Sequence, residues 1–211
     1  MSEMEHPWSI EERCFDAGYG SVCGADEAGA GPLAGPVYAA AVILPRGLVI
    51  GGLNDSKKLS PKKREALFEA ICAEAEDYCV TWVEAEEIDR TDILSARIKA
   101  MQMAIDGLRK KPDFALIDGN RDCGSLCAIT MPHEAVVGGD GKSASIAAAS
   151  ILAKVSRDRF VTEVLDVEYP CYQFARHKGY GTKLHYELLD AYGPCPAHRK
   201  SFLKKWELRR P

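Results

Sequence analysis

The 211-residue chain predicts an α/β fold on a mixed sheet, and three observations carry that expectation. Two apolar runs, 21–25 and 37–44, lie close together across a turn rich in glycine and proline. Stretches of helical periodicity then alternate with short β-rich runs. Past residue 165 only helical patterns remain. Strands that begin as a pair and continue by alternation give a sheet with antiparallel and parallel members, flanked by helices. The length suits one domain with a full core and a small appendage. We divide it into a lead-in segment 1–19, a body 20–175 and a basic helical extension 176–211 packed on that body.

The elements follow in order. Residues 21–25 and 37–44 read as the first two strands. The turn between them holds Gly29, Gly31, Gly35 and two prolines, so it is tight and irregular. Ser60 suits a helix N-cap and Pro61 the first helical position, with Leu67 and Ile71 one turn apart on an apolar stripe. Residues 78–83 alternate as a strand does. Ile93, Ile98, Met101, Ile105 and Leu108 mark a second amphipathic helix that ends near Gly107 and Pro112. Residues 114–117 form a short buried strand before Asp118 and Gly119, and 127–131 and 135–137 read as two more. The stretch 143–165 is a long helix rich in Ala and Ser, whose small side chains allow close approach to a sheet. A helix over 183–191 is stopped by Gly193 and Pro194, and 199–208 forms a last, basic helix.

Composition excludes several classes. No apolar run approaches the 18 residues of a membrane span. The acidic N-terminus lacks a signal-peptide core, which predicts a cytoplasmic protein. Of eight cysteines only Cys123 and Cys127 are closely spaced, with no second pair to complete a zinc framework, so all are expected reduced. The net charge of −4 is unevenly spread. From Arg176 onward there are nine Lys or Arg against three Asp or Glu, a net +6, with −10 on the remainder. That distribution fits either a phosphate-tracking patch or a solvated basic tail. Tyr180, Tyr186, Tyr192, Phe202 and Trp206 are interleaved with the charge.

Three acids share one context, an apolar strand followed by Asp with glycine nearby: Asp26, doubled by Glu27, then Asp118 and Asp140. One such Asp is an ordinary turn residue. Strand ends of an open α/β sheet are also where ligands gather. If the acids converge, each like-charge pair at 4 Å costs about 1 kcal/mol in water and about 4 kcal/mol at an effective dielectric of ~20. Against a domain stability of roughly 5–15 kcal/mol, such a cluster needs cations. Oxygen donors without neighbouring His or Cys favour Mg²⁺ or Mn²⁺ over Zn²⁺. Two phosphate-loop patterns fail: GGDGKS at 138–143 has Val136 where a P-loop needs glycine, and GAGPLAG at 29–35 leads into a strand with the wrong spacing for a dinucleotide loop. Lys142 and Ser143, at the start of the Ala-rich helix, are placed to bind phosphate or simply to cap it.

The segments GADEAGAGPLAGPV, LNDSKKLSPKKRE, LIDGN, GGDGKSASIAAASILAKVSRDR and HKGYGTKLHYELLDAYGPCPAHRKSF, in this order, cover roughly residues 20 to 205. In them the chain resembles bacterial ribonuclease HII, the type 2 ribonuclease H. Without a large N-terminal extension, it looks like the HII rather than the HIII type. The resemblance implies a ribonuclease H-like fold, a mixed five-stranded sheet with flanking helices and a C-terminal helical extension. It implies an endonuclease that hydrolyses the RNA strand of RNA–DNA hybrids and cuts 5′ of ribonucleotides embedded in duplex DNA, by two-metal hydrolysis that leaves a 3′-hydroxyl and a 5′-phosphate. Its metal-binding, catalytic carboxylates fall on Asp26, Glu27, Asp118 and Asp140. The family's Gly-Arg-Gly loop, which reads the ribose 2′-OH largely through backbone, falls on Gly29, Ala30 and Gly31, and its junction-sensing tyrosine on Tyr180. Ser56, Lys57, Lys142 and Ser143 complete the expected substrate-binding set, with Lys58 and Lys178 as further phosphate-holding groups. Ala30 departs from the family's arginine, but main-chain donors do not depend on that side chain. The expected partners are the two nucleic-acid substrates, the ions Mg²⁺ or Mn²⁺, no membrane, and action as a monomer. The rival reading is a non-catalytic hybrid-binding protein on the same fold, against which stands the presence of all four acids.

Overall fold

A computed structural model describes residues 8–53 and 59–208. Its first helix, α1 (Ser9–Asp16), lies in the lead-in segment, where the sequence offered no element. Two antiparallel strands follow, β1 (Val22–Ala28) and β2 (Val37–Ile43). Helix α2 (Pro61–Glu74) starts as the caps predict: the Ser60 hydroxyl accepts from the Lys63 N–H at 3.4 Å, and Leu67 and Ile71 are buried. After β3 (Asp77–Val83) come α3 (Ala85–Arg90) and α4 (Ile93–Asp106), then β4 (Phe114–Asp118) and β5 (His133–Val136). The Ala-rich helix α5 spans Ala144–Phe160 and continues through a π-helical turn, Val161–Leu165, into α6 (Asp166–Glu168). Short α7 (Phe174–His177), α8 (Lys183–Tyr192) and α9 (Lys200–Glu207) complete the chain.

The sheet order is β3-β2-β1-β4-β5. β1 pairs antiparallel with β2 and parallel with β4, so the sheet is mixed and β1 is central. Strand alternation sends Cys23, Ala25, Ala39 and Ala41 to a core shared with α4. Ala40 and Val42 face the opposite core, shared with α2 and α5. Small residues set the sheet-to-α5 distance. A Cβ built on Gly24 would lie 2.2 Å from the Ser145 carbonyl carbon, so strand and helix meet backbone to backbone. A third core joins Leu33, Val161, Phe174, Leu189, Leu203 and Trp206, and so fastens the C-terminal helices to the loop after β1 and to the end of α5.

The stretch 127–131 is not a strand. Only Ala128 bridges, to Cys123. The local donors find other acceptors: the Gly124 N–H donates to the Cys127 carbonyl, the Ile129 N–H to the Asp122 carbonyl, and the Thr130 N–H to the Gln102 side chain on α4. The backbone is thus satisfied by a closed turn against a helix and not by a ladder. All eight cysteines are free. No helix among the described residues is long and apolar enough to cross a membrane.

Candidate active site

Asp26 sits near the end of β1 and Asp118 is the last residue of β4. The parallel register pairs Ala25 with Ile117, which sets the two acids side by side one residue further on. Alternation turns Asp26 toward α5, where Ser150 hydrogen-bonds it, and Glu27 toward α4, where Arg97 pairs with it at 2.6 Å. Asp26 and Glu27 are one pair in the sequence. The sheet splits them between its faces, with Asp118 acting electrostatically on both.

The electrostatics show the cost of this gathering. Burial, then the charges of Glu27 and Asp118, hold the Asp26 carboxyl well above the usual carboxylate range. Burial also raises Glu27, with Arg97 opposing and Asp118 adding to the rise. Glu27 Oε2 is buried with no hydrogen-bond partner, and so is Arg97 Nε. A buried carboxylate oxygen left without a donor is an acceptor suited to a hard cation. The donor set is all oxygen, so these residues fit Mg²⁺ or Mn²⁺. Among the described residues no three Asp, Glu, His or Cys side chains are drawn together as a ready ion cage. Each acid is turned to a separate partner: Glu27 to Arg97, Asp118 to the Gly139 N–H at 2.7 Å.

That Gly139 contact also brings in Asp140. Gly138 takes a left-handed turn (φ 64°) after β5, and a short 3₁₀ turn, Gly139–Gly141, follows. Asp140, buried, is thereby one residue from a direct ligand of Asp118. The expected phosphate contact from Ser143 is not supported. Ser143 is buried, donates to Glu11 Oε1 at 2.6 Å and caps Ile146. Glu11, from α1, also accepts from the Ser145 N–H and hydroxyl, so a carboxylate of the chain itself fills the N-terminus of α5. Lys142 is exposed and its ammonium donates to the Val137 carbonyl. Ser56, Lys57 and Lys58 lie outside the described residues.

The loop 29–31 is held from behind by two arginines that sequence reading did not single out. Arg199 is fully buried and donates to the carbonyls of Gly29 (2.7 Å), Ala30 (3.1 Å) and Gly35 (2.9 Å). Arg157, equally buried, donates to the carbonyls of Ala34, Pro36 and Lys178. A trans peptide points its N–H opposite its C=O, and no peptide bond among the described residues is cis. With the Gly29 and Ala30 carbonyls drawn inward to Arg199, the N–H groups of Ala30 and Gly31 point outward. A side chain at Gly29 (φ 95°) would force Arg157 to move, since a Cβ would fall 2.1 Å from Arg157 Nε. The ring of Tyr180, 41% exposed, lies beside the loop, 3.9 Å from a Cβ position on Gly31. Lys154 and Arg157 approach its face, at 5.7 and 5.8 Å from the centroid. Lys178 is turned away, its ammonium bonded to Thr162.

The comparisons with known proteins agree with this architecture. The family model described as Ribonuclease HII matches residues 23–205. A protein named Ribonuclease HII from Caldicellulosiruptor bescii is 51% identical over 204 residues, covering 97% of each chain. Among solved structures, ribonuclease H2 from Pyrococcus horikoshii OT3 superposes with a TM-score of 0.73 at 27% identity, over 90% of this chain and 98% of that one. The RNase HII of a PCNA:RNase HII complex from Archaeoglobus fulgidus gives 0.71 at 28% identity, over 90% and 97%.

Proposed function

Because the chain belongs to the ribonuclease HII family, metal-dependent endonucleases that hydrolyse RNA in RNA–DNA hybrids, we propose that it also cuts 5′ of single ribonucleotides embedded in duplex DNA. The observation that supports this most is the loop 29–31, whose outward N–H donors are set by Arg199 and do not depend on the residue at position 30. Two adjacent backbone donors next to an aromatic ring suit a ribose 2′-OH, the one group that separates RNA from DNA at a given site.

Asp26, Glu27, Asp118 and Asp140 would hold divalent ions, Mg²⁺ or Mn²⁺. Ions bound there supply the charge that activates a water toward phosphorus and stabilises the leaving 3′-oxygen. The protein does the rest by placement. The Gly139 N–H orients Asp118, Ser150 orients Asp26, and Arg97 balances part of the anionic charge from the α4 side. The loop 29–31 selects the ribose and Tyr180 abuts the sugar next to it. Products carry a 3′-hydroxyl and a 5′-phosphate, because water attacks phosphorus and the 3′-oxygen is the group that leaves, while the 2′-OH is only recognised. The deciding experiment is cleavage of a DNA duplex carrying one ribonucleotide, with and without Mg²⁺ or Mn²⁺. A metal-dependent nick 5′ of the ribonucleotide is expected, and cleavage confined to long hybrids sinks the proposal.

A further inference from the structure

Three histidines lie buried behind Tyr180: His177 on α7, His185 on α8, and His198 just before α9. The rings of His177 and His185 stack with centroids 4.2 Å apart, and Phe174 packs against all three. None has a role in the site described above. Their hydrogen bonds define where every proton sits.

A neutral imidazole has one donor nitrogen and one acceptor, and a carbonyl only accepts. His185 Nδ1 lies 2.9 Å from the Tyr180 carbonyl, so Nδ1 carries the proton and Nε2 is bare. His198 Nε2, 3.0 Å from that bare nitrogen, must therefore be protonated and donate to it. His198 Nδ1 is then an acceptor, and it receives the Cys195 N–H (3.0 Å) and thiol (Sγ at 3.1 Å). By the same reasoning His177 Nε2 donates to the Tyr172 carbonyl at 2.8 Å, while its Nδ1 accepts the Gly179 N–H. Every lone pair in the cluster is in use, so an added proton breaks a hydrogen bond wherever it lands.

The charged and titratable neighbours agree. Asp166 and Arg176 act on His177 in opposite senses, and burial is the larger effect on all three rings. It brings His185 and His198 down to about 4. Burial pushes the Cys195 thiol up to about 11, which keeps it a donor. Tyr172, whose ring is 4.9 Å from that of His198, is held neutral by burial as well.

The cluster connects two parts of the site. Its first link is the Tyr180 carbonyl. Its last, His198, is followed directly by Arg199, which holds the carbonyls of Gly29 and Ala30. We propose that His185 and His198 form a proton-ordered relay of positioning residues that fixes Tyr180 relative to the loop 29–31. The proposal rests on the reading of Tyr180 as the residue beside the sugar.

Two isosteres separate positioning from general packing. In His185→Asn the amide nitrogen takes the place of Nδ1 and keeps the bond to Tyr180, while the bond to His198 is lost. In His185→Gln the carbonyl oxygen takes the place of Nε2, keeps the bond from His198 and loses Tyr180. The preference for a single embedded ribonucleotide over a long hybrid, as a ratio of kcat/KM, is expected to fall about tenfold in His185→Gln and to stay within threefold of wild type in His185→Asn. Equal losses in both variants overturn the proposal. Two measurements decide it without any substrate. Imidazole ¹⁵N spectra of the wild type should show His185 as the Nδ1–H tautomer and His198 as the Nε2–H tautomer, and a different pair of tautomers refutes the relay. Amide exchange at Tyr180 and Thr182 should quicken in His185→Gln and not in His185→Asn, and equal exchange in the two overturns the link to Tyr180. If the relay passes these two tests while wild type ignores single ribonucleotides, the failure belongs to the substrate reading.

Discussion

Gly29→Ala tests how tightly the substrate loop is fixed. Two costs add. An L-residue at φ 95° pays about 1–2 kcal/mol for left-handed backbone. The new Cβ would sit 2.1 Å from Arg157 Nε and 2.4 Å from its Cδ. Reaching an ordinary contact demands a shift of more than 1 Å. Arg157 bonds to the carbonyls of Pro36, Ala34 and Lys178 are already 3.1–3.3 Å long. At least one must break, and a lost hydrogen bond to a charged group costs about 1.5–3 kcal/mol. The sum is roughly 3–5 kcal/mol, a large part of a typical stability of about 5–15 kcal/mol. For a chain of this size that lowers Tm by on the order of 10 °C. Gly31→Ala is the control, because a Cβ there would meet only Tyr180 Cε1, at 3.9 Å, and its φ is not left-handed. It should shift stability by no more than about 0.5 kcal/mol. Urea and thermal unfolding of the two variants measure the difference. If Gly29→Ala unfolds at the midpoint of Gly31→Ala, Arg157 does not pin the loop.

Other outcomes follow from the same site. Asp118→Asn should nearly abolish cleavage while metal-free stability stays level or rises, since it removes a charge that acts on both Asp26 and Glu27; wild-type turnover in saturating Mg²⁺ refutes its role. The raised Asp26 pKa means that the folded chain keeps a proton the unfolded chain has released, so this group's contribution to stability falls as pH climbs from about 4 through the folded pKa. In chelator at neutral pH, Asp26→Asn should therefore be more stable than wild type, with the gap closing in acid; denaturation at several pH values reads this, and a gap that widens in acid contradicts the sign. Tyr180→Ala should harm cleavage at a single ribonucleotide more than cleavage of long hybrids, and equal losses assign Tyr180 to packing alone. Ala30→Arg should steepen the salt dependence of affinity by adding a phosphate contact, without moving the cut; if instead it creates a junction preference that wild type lacks, the side chain and not the backbone reads the sugar.

What the sequence disclosed was mostly local. Ser60 and Pro61 announce a helix start within four residues, and the apolar runs before Asp26 and Asp118 announce the strand ends that bear them. What it hid depends on partners far along the chain. Arg199 lies 170 residues from Gly29, and a basic C-terminal stretch is naturally read as surface, yet this guanidinium is fully buried against carbonyls. Glu11 looked like part of an acidic lead-in, and it occupies the end of α5 that otherwise invites phosphate. The separation of Asp26 from Glu27 was legible in strand alternation, but only once β1 was known to run through both residues. Arg97 gave no local signal. It is one cation on a helix face until β1 is laid beside α4.

The central position of β1 has a kinetic consequence. During synthesis β1 and β2 can pair as soon as both have emerged, because they are neighbours in sequence. The resulting hairpin already bears Asp26 and Glu27. Asp118 joins through a parallel ladder some ninety residues later, and Gly24 meets Ser145 across about a hundred and twenty. Contacts of such long range close late, since the entropy of loop closure precedes any gain from pairing. The nascent hairpin therefore carries two solvated acids with ordinary affinities for protons and weak affinity for ions. Nuclease competence then arises in the last cooperative step, and on refolding from denaturant the recovery of cleavage should track the slowest phase of chain compaction.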